Sequence, residues 1–377
     1  MVGTRRRPVY LGRPGSEDRV ATEIVRLTPE WMPALRRFAE RVWKRPRSDA
    51  FYRWRYEESA PFHDVWLAIR DGECLAMEAA IRRPWRVGDE VVEIGEVFDW
   101  FALPEYRNAG LGVRVMQALM KGPHPLLLIG GTPDTQGLLP RLKWRVVATA
   151  ERYVLPLGSA RLASALAERF RVPAALAELA ARASLLRPGQ RPRRRSVPAD
   201  GRAVALAGVG DEVQELYRRS SPYRTVPLWT HELLDWLIAG FPAAGHYLPL
   251  CFSRGDALVG WALLRIHAGS PGCDAELLEC FAPQPDADLY TWMVSEAATI
   301  AAGFGPGRLG AQTTCPLLGA ALRRNRFALS RTNPMQLWWP GREGFPAPIA
   351  AGSNTNDSAI LAMPERWWSD PPRAAER

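Results

Sequence analysis

Two parts of the sequence are similar to each other, and this internal similarity restricts the possible folds more than any other feature. Residues 65–83, VWLAIRDGECLAMEAAIRR, and residues 247–267, YLPLCFSRGDALVGWALLRIH, each contain an apolar strand, a turn built on Arg, Asp and Gly, and a second apolar strand. In both parts a further apolar strand then precedes a helix, at 94–102 and at 275–282. The chain is therefore predicted to contain two diverged copies of one unit.

The first copy has the pattern of a mixed α/β fold. Tight-turn signals at Asp71-Gly72 and Gly88-Asp89 divide residues 64–103 into three strands. Apolar residues at steps of three and four indicate a helix within residues 22–46, and a second helix is expected from about Ala109 to Lys121. The remaining elements are expected at 125–131, 135–144 and 145–157. The predicted order is β-α-β-β-β-α-β-α-β.

The length and composition fit two domains. The chain has 377 residues, of which 47% are hydrophobic, and this is enough material for two cores. Residues 187–202, RPGQRPRRRSVPADGR, have the composition of a solvated linker. The expected organisation is a flexible basic N-terminus (1–21), a first domain (22–157), a helical and Arg/Pro-rich linker (158–202) and a second domain (203–377).

The charge and the cysteines restrict the environment and the partners. The net charge of +9 suits phosphates, acidic carriers or nucleic acid, but a high-GC coding bias produces the same excess of arginine, and a nucleic-acid partner is not expected. The five scattered cysteines form no CxxC pair and favour reduced, buried thiols. No metal is expected, because no histidines stand at ligand spacing. With no run near the ~20 apolar residues of a membrane span, a cytoplasmic protein is expected.

Residues 104–120, PEYRNAGLGVRVMQALM, place two glycines between a strand and a helix. A loop of this kind directs several backbone N–H groups to one point, and the helix N-terminus adds positive charge there. Gly110 and Gly112 let an anion approach the backbone without a Cβ atom in the way, and Arg107 adds a charged contact. The stretch therefore favours a phosphate site, with a tight strand-to-helix turn as the alternative.

Residues 99–116, DWFALPEYRNAGLGVRVM, resemble the pyrophosphate-binding motif Arg/Gln-x-x-Gly-x-Gly/Ala of the GNAT superfamily of acyl-CoA-dependent N-acyltransferases. The resemblance extends over roughly residues 22–157 in element order and is motif-specific only over 99–116. It implies tandem GNAT-like domains of the α/β (α+β) class, each a mixed, mostly antiparallel sheet flanked by helices. It also implies acetyl-CoA or another acyl-CoA as co-substrate, and no metal.

By the same resemblance, the loop amides hold the coenzyme A pyrophosphate and the preceding strand pairs with the pantetheine arm. The residues implied for the phosphate are Arg107, Asn108, Ala109, Gly110, Leu111 and Gly112, and those beside the pantetheine are Ala102 and Leu103. The second copy has APQPDADLY in place of RNAGLG, so it looks like the degenerate copy of tandem, FemABX-like members. The segment 51–61, FYRWRYEESAP, is similar to a stretch in such members, and its RWRY is expected to cap a core at the domain junction.

Acyl transfer to an amine requires a base that takes a proton from the ammonium group. Glu96 and Asp99 are the catalytic candidates on the strand before the loop, with Glu93 farther out. Period-two alternation places Glu93 and Asp99 on one face and Glu96 on the other, unless a bulge intervenes. Backbone amides of the same strand are candidates to donate to the oxyanion.

The general acid is the point at which the chain departs from the family. Members often have a tyrosine that protonates the leaving thiolate, but the matching run LPRLKW has Leu139 in the tyrosine position and Lys143 in a glycine position. Either another group or water protonates the thiolate, or this copy is catalytically poor.

The predicted function is therefore that of an acyl-CoA-dependent N-acyltransferase, most simply an N-acetyltransferase. The acyl group would move to a primary amine by direct attack in a ternary complex, and the acceptor would be a small-molecule or peptide amine. Two alternatives stay open. One is a FemABX-like aminoacyl transferase or an acyltransferase supplied by an acidic acyl carrier protein, and the other is a non-catalytic CoA-binding or CoA-sensing protein.

Overall fold

The computed structural model describes most of the chain between residues 21 and 349. The described residues are 21–44, 48–58, 62–159, 163, 166–167, 170–186, 198–206, 210–220, 223–239, 246–266, 274–305, 307–342, 344–345 and 349. Almost all of the predicted basic N-terminus (1–21), the arginine run 191–195, Cys273 and the Trp-rich segment 366–368 lie outside the described residues.

The first half of the structure has the predicted order of strands and helices. Its elements are β1 (Glu23–Arg26), α1 (Met32–Trp43), α2 (Asp49–Tyr52), β2 (His63–Arg70), β3 (Glu73–Val87), β4 (Glu90–Ala102), α3 (Leu111–Met120), β5 (Leu126–Ile129), α4 (Pro133–Leu138) and β6 (Arg145–Pro156). Two short elements were not predicted, namely α2 and the π-helix Arg53–Glu58 that follows it. The helix expected from Ala109 begins two residues later, because Gly110 has a φ of 72° and separates a 3₁₀ helix, Pro104–Ala109, from α3.

The second half repeats the same pattern of strands and helices. Its elements are α5 (Ala174–Leu186), β7 (Gly201–Ala205), α6 (Asp211–Arg218), β8 (Thr225–Pro227), α7 (His231–Ala239), β9 (His246–Arg254), β10 (Ala257–Ile266), β11 (Asp274–Phe281), α8 (Ala287–Gly303), β12 (Arg308–Thr313), α9 (Pro316–Arg324) and β13 (Ala328–Trp338). The strands β9, β10 and β11 fall on the segments that the internal similarity selected.

The strands of both halves form one mostly antiparallel sheet. Its order is β1-β2-β3-β4-β5-β13-β6-β12-β11-β10-β9-β7, and β8 pairs with β3 beside this path. The order is symmetric about its centre, because each strand of the first half has its counterpart at the same distance from the other end. The last strands of the halves are exchanged, since β13 lies between β5 and β6 while β6 also pairs with β12. The predicted mixed α/β class is confirmed, and the domain boundaries at 157 and 203 stay predictions.

The two faces of the first half are covered by different elements. On one face, α3 packs Met116 and Leu119 into a cluster with Ala80, Val97 and Leu126. The opposite face is covered by the segment around β8 and α7, which belongs to the second half. Glu96 lies on this second face, so the second half covers one of the predicted catalytic acids.

A pair of tryptophans joins the halves at this covered face. The rings of Trp54 and Trp236 stack with centroids 5.0 Å apart. Each indole donates to the backbone carbonyl of the other residue, at 3.1 Å from Trp54 and 2.9 Å from Trp236. The expectation that RWRY (53–56) caps a core at the junction is confirmed for Trp54, which is buried.

Candidate active site

The first feature of the site is the divergence of the parallel strands β4 and β5. They pair only at Gly95 with Leu126 and at Glu96 with Leu127. Beyond this point β4 stays paired with β3 as far as Ala102, whereas β5 pairs on its other edge with β13. Within the described residues, the C-terminal ends of β4 and β5 therefore leave backbone edges that face an opening between them.

A β-bulge lies on β4 beside this opening. Phe98 is opposite Ala79 and Phe101 is opposite Met77, so that Asp99 and Trp100 together face one residue of β3, Glu78. Asp99 has a φ of 52°, a left-handed conformation that is uncommon outside glycine but is tolerated by aspartate. A bulge changes the direction of the following side chains, and so the simple alternation predicted for Glu93, Glu96 and Asp99 ends here.

The second feature is the exposed N-terminus of α3. Gly110 precedes the helix with a φ of 72°, and no side chain caps the helix. The first amides of a helix have no partner inside it, and they carry the positive end of the helix dipole. A Cβ atom at Gly110 would meet nothing within 4 Å, so there is open space beside this residue at the start of the helix.

The residues predicted to hold coenzyme A surround this helix start. Arg107, Asn108 and Ala109 are exposed in the 3₁₀ helix, and Leu111 is buried and fixes the first turn of α3 to the core. The residues from Arg107 to Gly112 therefore all lie at the N-terminus of α3. The two strand residues, Ala102 and Leu103, lie at the end of β4, where the Leu103 amide donates to the carbonyl of Leu75 at 2.9 Å. The role of these residues stays a prediction.

The equivalent helix of the second half has a different N-terminus. Asp286 caps α8, and its Oδ1 atom accepts hydrogen bonds of 2.9 Å from the backbone amides of Asp288 and Leu289. A carboxylate at this position occupies the amides and repels a second anion. The two halves therefore differ at one helix terminus: α3 is open and α8 is closed by its own side chain.

The opening between strands is also filled in the second half. The parallel strands β11 and β12 pair from Asp274 to Leu277 and then separate, as β4 and β5 do. Here the hydroxyl of Tyr290 accepts from the Ala282 amide at 3.3 Å and lies 3.2 Å from the hydroxyl of Tyr223. The Tyr290 hydroxyl thus binds a backbone amide at the opening of the second half, whereas the corresponding backbone edges of the first half face an opening.

Glu96 is the candidate base with the more suitable environment. It is buried, and its Oε1 atom accepts from the Trp85 indole at 3.0 Å and lies 3.8 Å from Nη1 of Arg83. Its Oε2 atom has no hydrogen-bond partner among the described residues. Burial raises the pKa of Glu96 to about 7, against the opposing effects of Arg83 and Trp85. A carboxyl with this pKa exchanges protons near neutral pH.

Asp99 is instead held in a buried ion pair. Its Oδ2 atom contacts the guanidinium of Arg55 and accepts from the Tyr56 hydroxyl at 3.3 Å. Arg55 and Tyr56 come from the π-helix, and Arg55 also stacks over the ring of Phe98, with its Cζ atom 4.7 Å from the ring centroid. Asp99 therefore fixes the bulge and compensates a buried charge. Glu93, the outer candidate, is half-exposed near Arg82 and His124.

Two further buried carboxyl groups near β4 were missed by the sequence. Glu78 lies opposite the bulge with no hydrogen-bond partner for either oxygen in the described part of the chain, and burial together with Asp99 raises its pKa well above the usual range. Glu279, on β11, lies near Arg83 and Glu96 across the junction of the halves. Aligning the two copies would have pointed to it, because Glu279 in ECFAP stands where Asp99 stands in DWFALP.

Leu139 occupies the position at which members of the family often have the tyrosine that acts as general acid, and it has no hydroxyl group. Leu139 is fully buried and begins the 3₁₀ helix Leu139–Leu142, and its side chain packs into the cluster that contains Met116 and Leu119 of α3. Lys143 takes a left-handed conformation, with a φ of 66°, where the family pattern has glycine. The departure seen in the sequence is therefore also a departure in the structure.

The described residues also contain a cavity away from the start of α3. This cavity of about 290 Å³ lies at the C-terminal end of α3, lined by Arg26, Arg82 and His124 among others, and is separate from the helix N-terminus. No group of three or more His, Cys, Asp and Glu side chains in the described ranges is arranged to hold a metal ion. Of the helices described, none combines the length and apolar character that crossing a membrane requires. The four described cysteines are free and buried.

Comparison with solved structures shows which fold this is. A GCN5-related N-acetyltransferase from Anabaena variabilis aligns with a TM-score of 0.55 at 11% identity, over 84% of this chain and 72% of that one. The N-myristoyltransferase of Saccharomyces cerevisiae with bound myristoyl-CoA gives 0.54 at 13% identity, over 87% of both chains. A candidate acetyltransferase from Pyrococcus horikoshii gives 0.56 at 10% identity, over 93% and 99%. The chain therefore has the fold of the GNAT acyltransferases.

The family match is more specific than the fold. Residues 23–124 match the family model described as an acetyltransferase (GNAT) domain, so the first half contains a GNAT domain. This segment includes the open N-terminus of α3, the bulge and Glu96. No curated protein sequence matches the chain.

Proposed function

We propose that this protein is an acyl-CoA-dependent N-acyltransferase, most simply an N-acetyltransferase. It would move the acyl group from coenzyme A to a primary amine by direct attack in a ternary complex. A GNAT domain in residues 23–124 supports acyl transfer in general, and the yeast N-myristoyltransferase of the same fold binds a CoA thioester.

The observation that carries this proposal is the difference between the two helix N-termini. No side chain caps the first amides of α3 after Gly110. The first amides of α8 already donate hydrogen bonds to the side chain of Asp286. Since both helices follow a strand that diverges from its parallel neighbour, the fold alone does not require an open terminus. An anionic ligand such as the CoA pyrophosphate explains why one is open.

The chain's own groups fit the parts of the donor. The amides at Gly110 to Gly112, with Arg107 at the rim, would hold the pyrophosphate, and the edge of β4 toward Ala102 and Leu103 would pair with the pantetheine amides. When bound, the donor supplies an activated acyl carbonyl. Of the two predicted acids, Glu96 is proposed to accept the proton of the amine, because Asp99 is neutralised by Arg55.

The acceptor is proposed to be a small-molecule or peptide amine. A FemABX-like transfer, or one from an acidic acyl carrier protein, is the other enzymatic proposal, and the positive net charge of +9 suits such a carrier. The open α3 terminus favours free coenzyme A as the donor.

Calorimetry with acetyl-CoA and with coenzyme A tests the proposal directly. We expect both to bind, and the absence of binding to either would contradict it. A control titration with acetyl-pantetheine, which lacks the pyrophosphate, is expected to show much weaker binding. If the affinities are equal, the pyrophosphate is not held by the helix terminus.

A second candidate function is CoA binding without transfer, which Leu139 favours because this position has no hydroxyl to protonate a thiolate. Release of free thiol over a panel of primary amines distinguishes the two functions. Binding together with amine-dependent thiol release supports the enzyme, whereas binding with no release supports a sensor.

A further inference from the structure

Three buried charged side chains meet where the two halves contact each other. Arg83 and Glu96 come from β3 and β4 of the first half, and Glu279 comes from β11 of the second half. All three are almost completely buried. The guanidinium of Arg83 lies over the ring of Trp229, with its Cζ atom 4.1 Å from the ring centroid, and its Nε atom donates to the Leu228 carbonyl at 2.8 Å.

The two carboxyl groups of this cluster are bound differently. Both oxygens of Glu279 accept hydrogen bonds of 3.0 Å, Oε2 from the Trp229 indole and Oε1 from the amide of Cys280. Glu96 accepts only through Oε1, from the Trp85 indole at 3.0 Å. Donors to both oxygens stabilise a carboxylate in its charged form. Glu279 is therefore the better stabilised anion, and Glu96 is the group with an unused oxygen.

One guanidinium does not compensate two carboxylates. With both acids ionised, the cluster would carry a net charge of −1 out of contact with water, which is unfavourable. Burial lowers the pKa of Arg83, and the negative charges of Glu96 and Glu279 oppose this shift; burial, with a further effect of the Glu279 charge, raises the pKa of Glu96. Glu96, whose Oε2 atom has no hydrogen-bond partner among the described residues, is therefore the carboxyl of the cluster that gains and loses a proton near neutral pH.

The other titratable groups around the cluster do not change this balance. The Tyr217 hydroxyl faces Arg83, and its pKa is raised by burial and by Glu279, so it is neutral. The Cys280 thiol follows Glu279, and burial and Glu279 raise its pKa well above the usual range. Trp85 and Trp229 donate without titrating. Among these groups, the proton that is exchanged near neutral pH is therefore that of Glu96.

We propose that Glu279 is a positioning residue supplied by the second half. It shares Arg83 with Glu96, leaves Glu96 incompletely neutralised, and so allows Glu96 to take a proton from the acceptor amine at neutral pH. This inference rests on the proposed function and gives the second half a role in it. The step is one proton transfer: an N–H bond of the ammonium group breaks, an O–H bond forms on the Glu96 carboxylate, and the neutral amine is left.

The internal symmetry supports this role. In the aligned segments ECFAP and DWFALP, Glu279 stands at the position of Asp99, and both strands have a register shift nearby. Asp99 lies within the bulge of β4, whereas Glu279 pairs with Leu263 directly after the extra residue of β11. The negative charge of Asp99 is compensated by Arg55, which belongs to the same half. Glu279 instead acts across the junction, on an arginine of the other half.

Infrared titration of the unliganded full-length protein tests the inference without any substrate. The C=O stretch of protonated Glu96 is identified as the band lost in Glu96→Gln, which separates it from Glu78. In the folded Glu279→Gln variant the midpoint of this band is expected to fall by about one pH unit, since a neighbouring negative charge is removed while Arg83 remains. An unchanged or higher midpoint would overturn the proposal.

Two further variants distinguish a specific electrostatic effect of Glu279 from a general effect on the structure. Glu276→Gln removes another buried carboxylate of β11, which pairs with Arg152 at 2.5 Å, and should leave the Glu96 midpoint unchanged. An equal shift in Glu276→Gln would contradict a specific role of Glu279. If Glu279→Gln does not fold, Trp229→Phe removes one donor to Glu279 and should move the midpoint in the same direction by a smaller amount.

The kinetic readout then separates this inference from the proposed function. The acid limb of kcat/KM should shift with the infrared midpoint in Glu279→Gln. Coenzyme A binding measured by calorimetry should not change, because the cluster lies away from the α3 terminus. A missing infrared shift with intact CoA binding contradicts only the role of Glu279, whereas absent CoA binding contradicts the proposed function itself.

Discussion

The indole Nε1 atom of Trp100 donates a hydrogen bond of 2.8 Å to the carbonyl oxygen of Gly112. This bond joins the bulge of β4 to the first turn of α3, so one contact positions the two parts proposed to hold the donor. A Cβ atom at Gly112 would lie 3.3 Å from the same nitrogen. Glycine at 112 therefore has a packing reason of its own, whereas Gly110 faces open space.

Substituting Gly112 should reveal this packing constraint. Glycine-to-alanine changes inside helices normally raise stability by about 0.5–1 kcal/mol. We expect this gain for Gly137→Ala in α4, where a Cβ atom meets nothing within 4 Å. Gly112→Ala should give no gain or a loss, because Trp100 must move. Thermal or urea unfolding of the two variants measures the difference, and an equal gain in both would contradict the close contact.

Charge at Gly110 should control coenzyme A affinity. Gly110→Asp places at α3 the kind of group that Asp286 places at α8, and Gly110→Asn is its neutral control; both side chains tolerate the positive φ of 72°. The aspartate variant should bind CoA at least about tenfold more weakly than the asparagine variant, since the pyrophosphate meets a like charge. Calorimetry on both proteins gives the ratio. Equal affinities would show that the N-terminus of α3 does not bind the pyrophosphate.

The raised pKa of Glu96 predicts two pH effects of known sign. The base works when ionised, so kcat/KM should rise with pH up to about 7 and then level off, and Glu96→Gln should lose this limb. For stability the sign is reversed. Because the pKa is raised on folding, the contribution of Glu96 to stability is present below about 4.5 and is lost as pH rises through about 7.

Unfolding free energies of wild type and Glu96→Gln, measured across this pH range, check the second effect. Relative to the glutamine variant, the wild type should lose up to about 3 kcal/mol between pH 4 and pH 8. A difference that does not change with pH would mean that Glu96 titrates normally.

Breaking the Arg55–Asp99 pair should cost stability rather than catalysis. Asp99→Asn keeps a side chain that tolerates the φ of 52° but removes the carboxylate that pairs with the buried Arg55 guanidinium, at a cost of about 3–5 kcal/mol. The double variant Arg55→Met with Asp99→Asn should recover much of this loss. Chemical unfolding measures the cycle. If the folded Asp99→Asn variant loses the acid limb of kcat/KM, Asp99 and not Glu96 is the base.

Much of the fold was predictable because its signals are local. The turns at Asp71-Gly72 and Gly88-Asp89 place the β-hairpins, and the apolar run before Gly130 places β5. The similarity between the copies predicted the symmetric pattern. The exchange of β6 and β13 was not predictable, since both strands have similar composition and their partners are far apart in sequence.

The candidate site was also predictable only in part from the sequence. The open terminus of α3 follows from consecutive residues, Arg107 to Gly112, and could be located from the sequence alone. The orientation of Asp99 could not, because one extra residue in β4 breaks the period of two on which the prediction rests. Nor could the electrostatic effect of Glu279 on Glu96, since β4 and β11 are separated by several strands in the sheet and by a long stretch of sequence.

The exchanged last strands also affect how the protein is made. During synthesis β5 is complete at residue 129, but its second neighbour, β13, begins only at residue 328. A nascent chain that has released all of the first half therefore still exposes a hydrophobic strand edge of Leu126, Leu127, Leu128 and Ile129. The ribosome must deliver about 180 further residues, from the end of β6 at Pro156 to the end of β13 at Trp338, before that edge is covered. During this interval the growing chain presents a surface for chaperones or for aggregation.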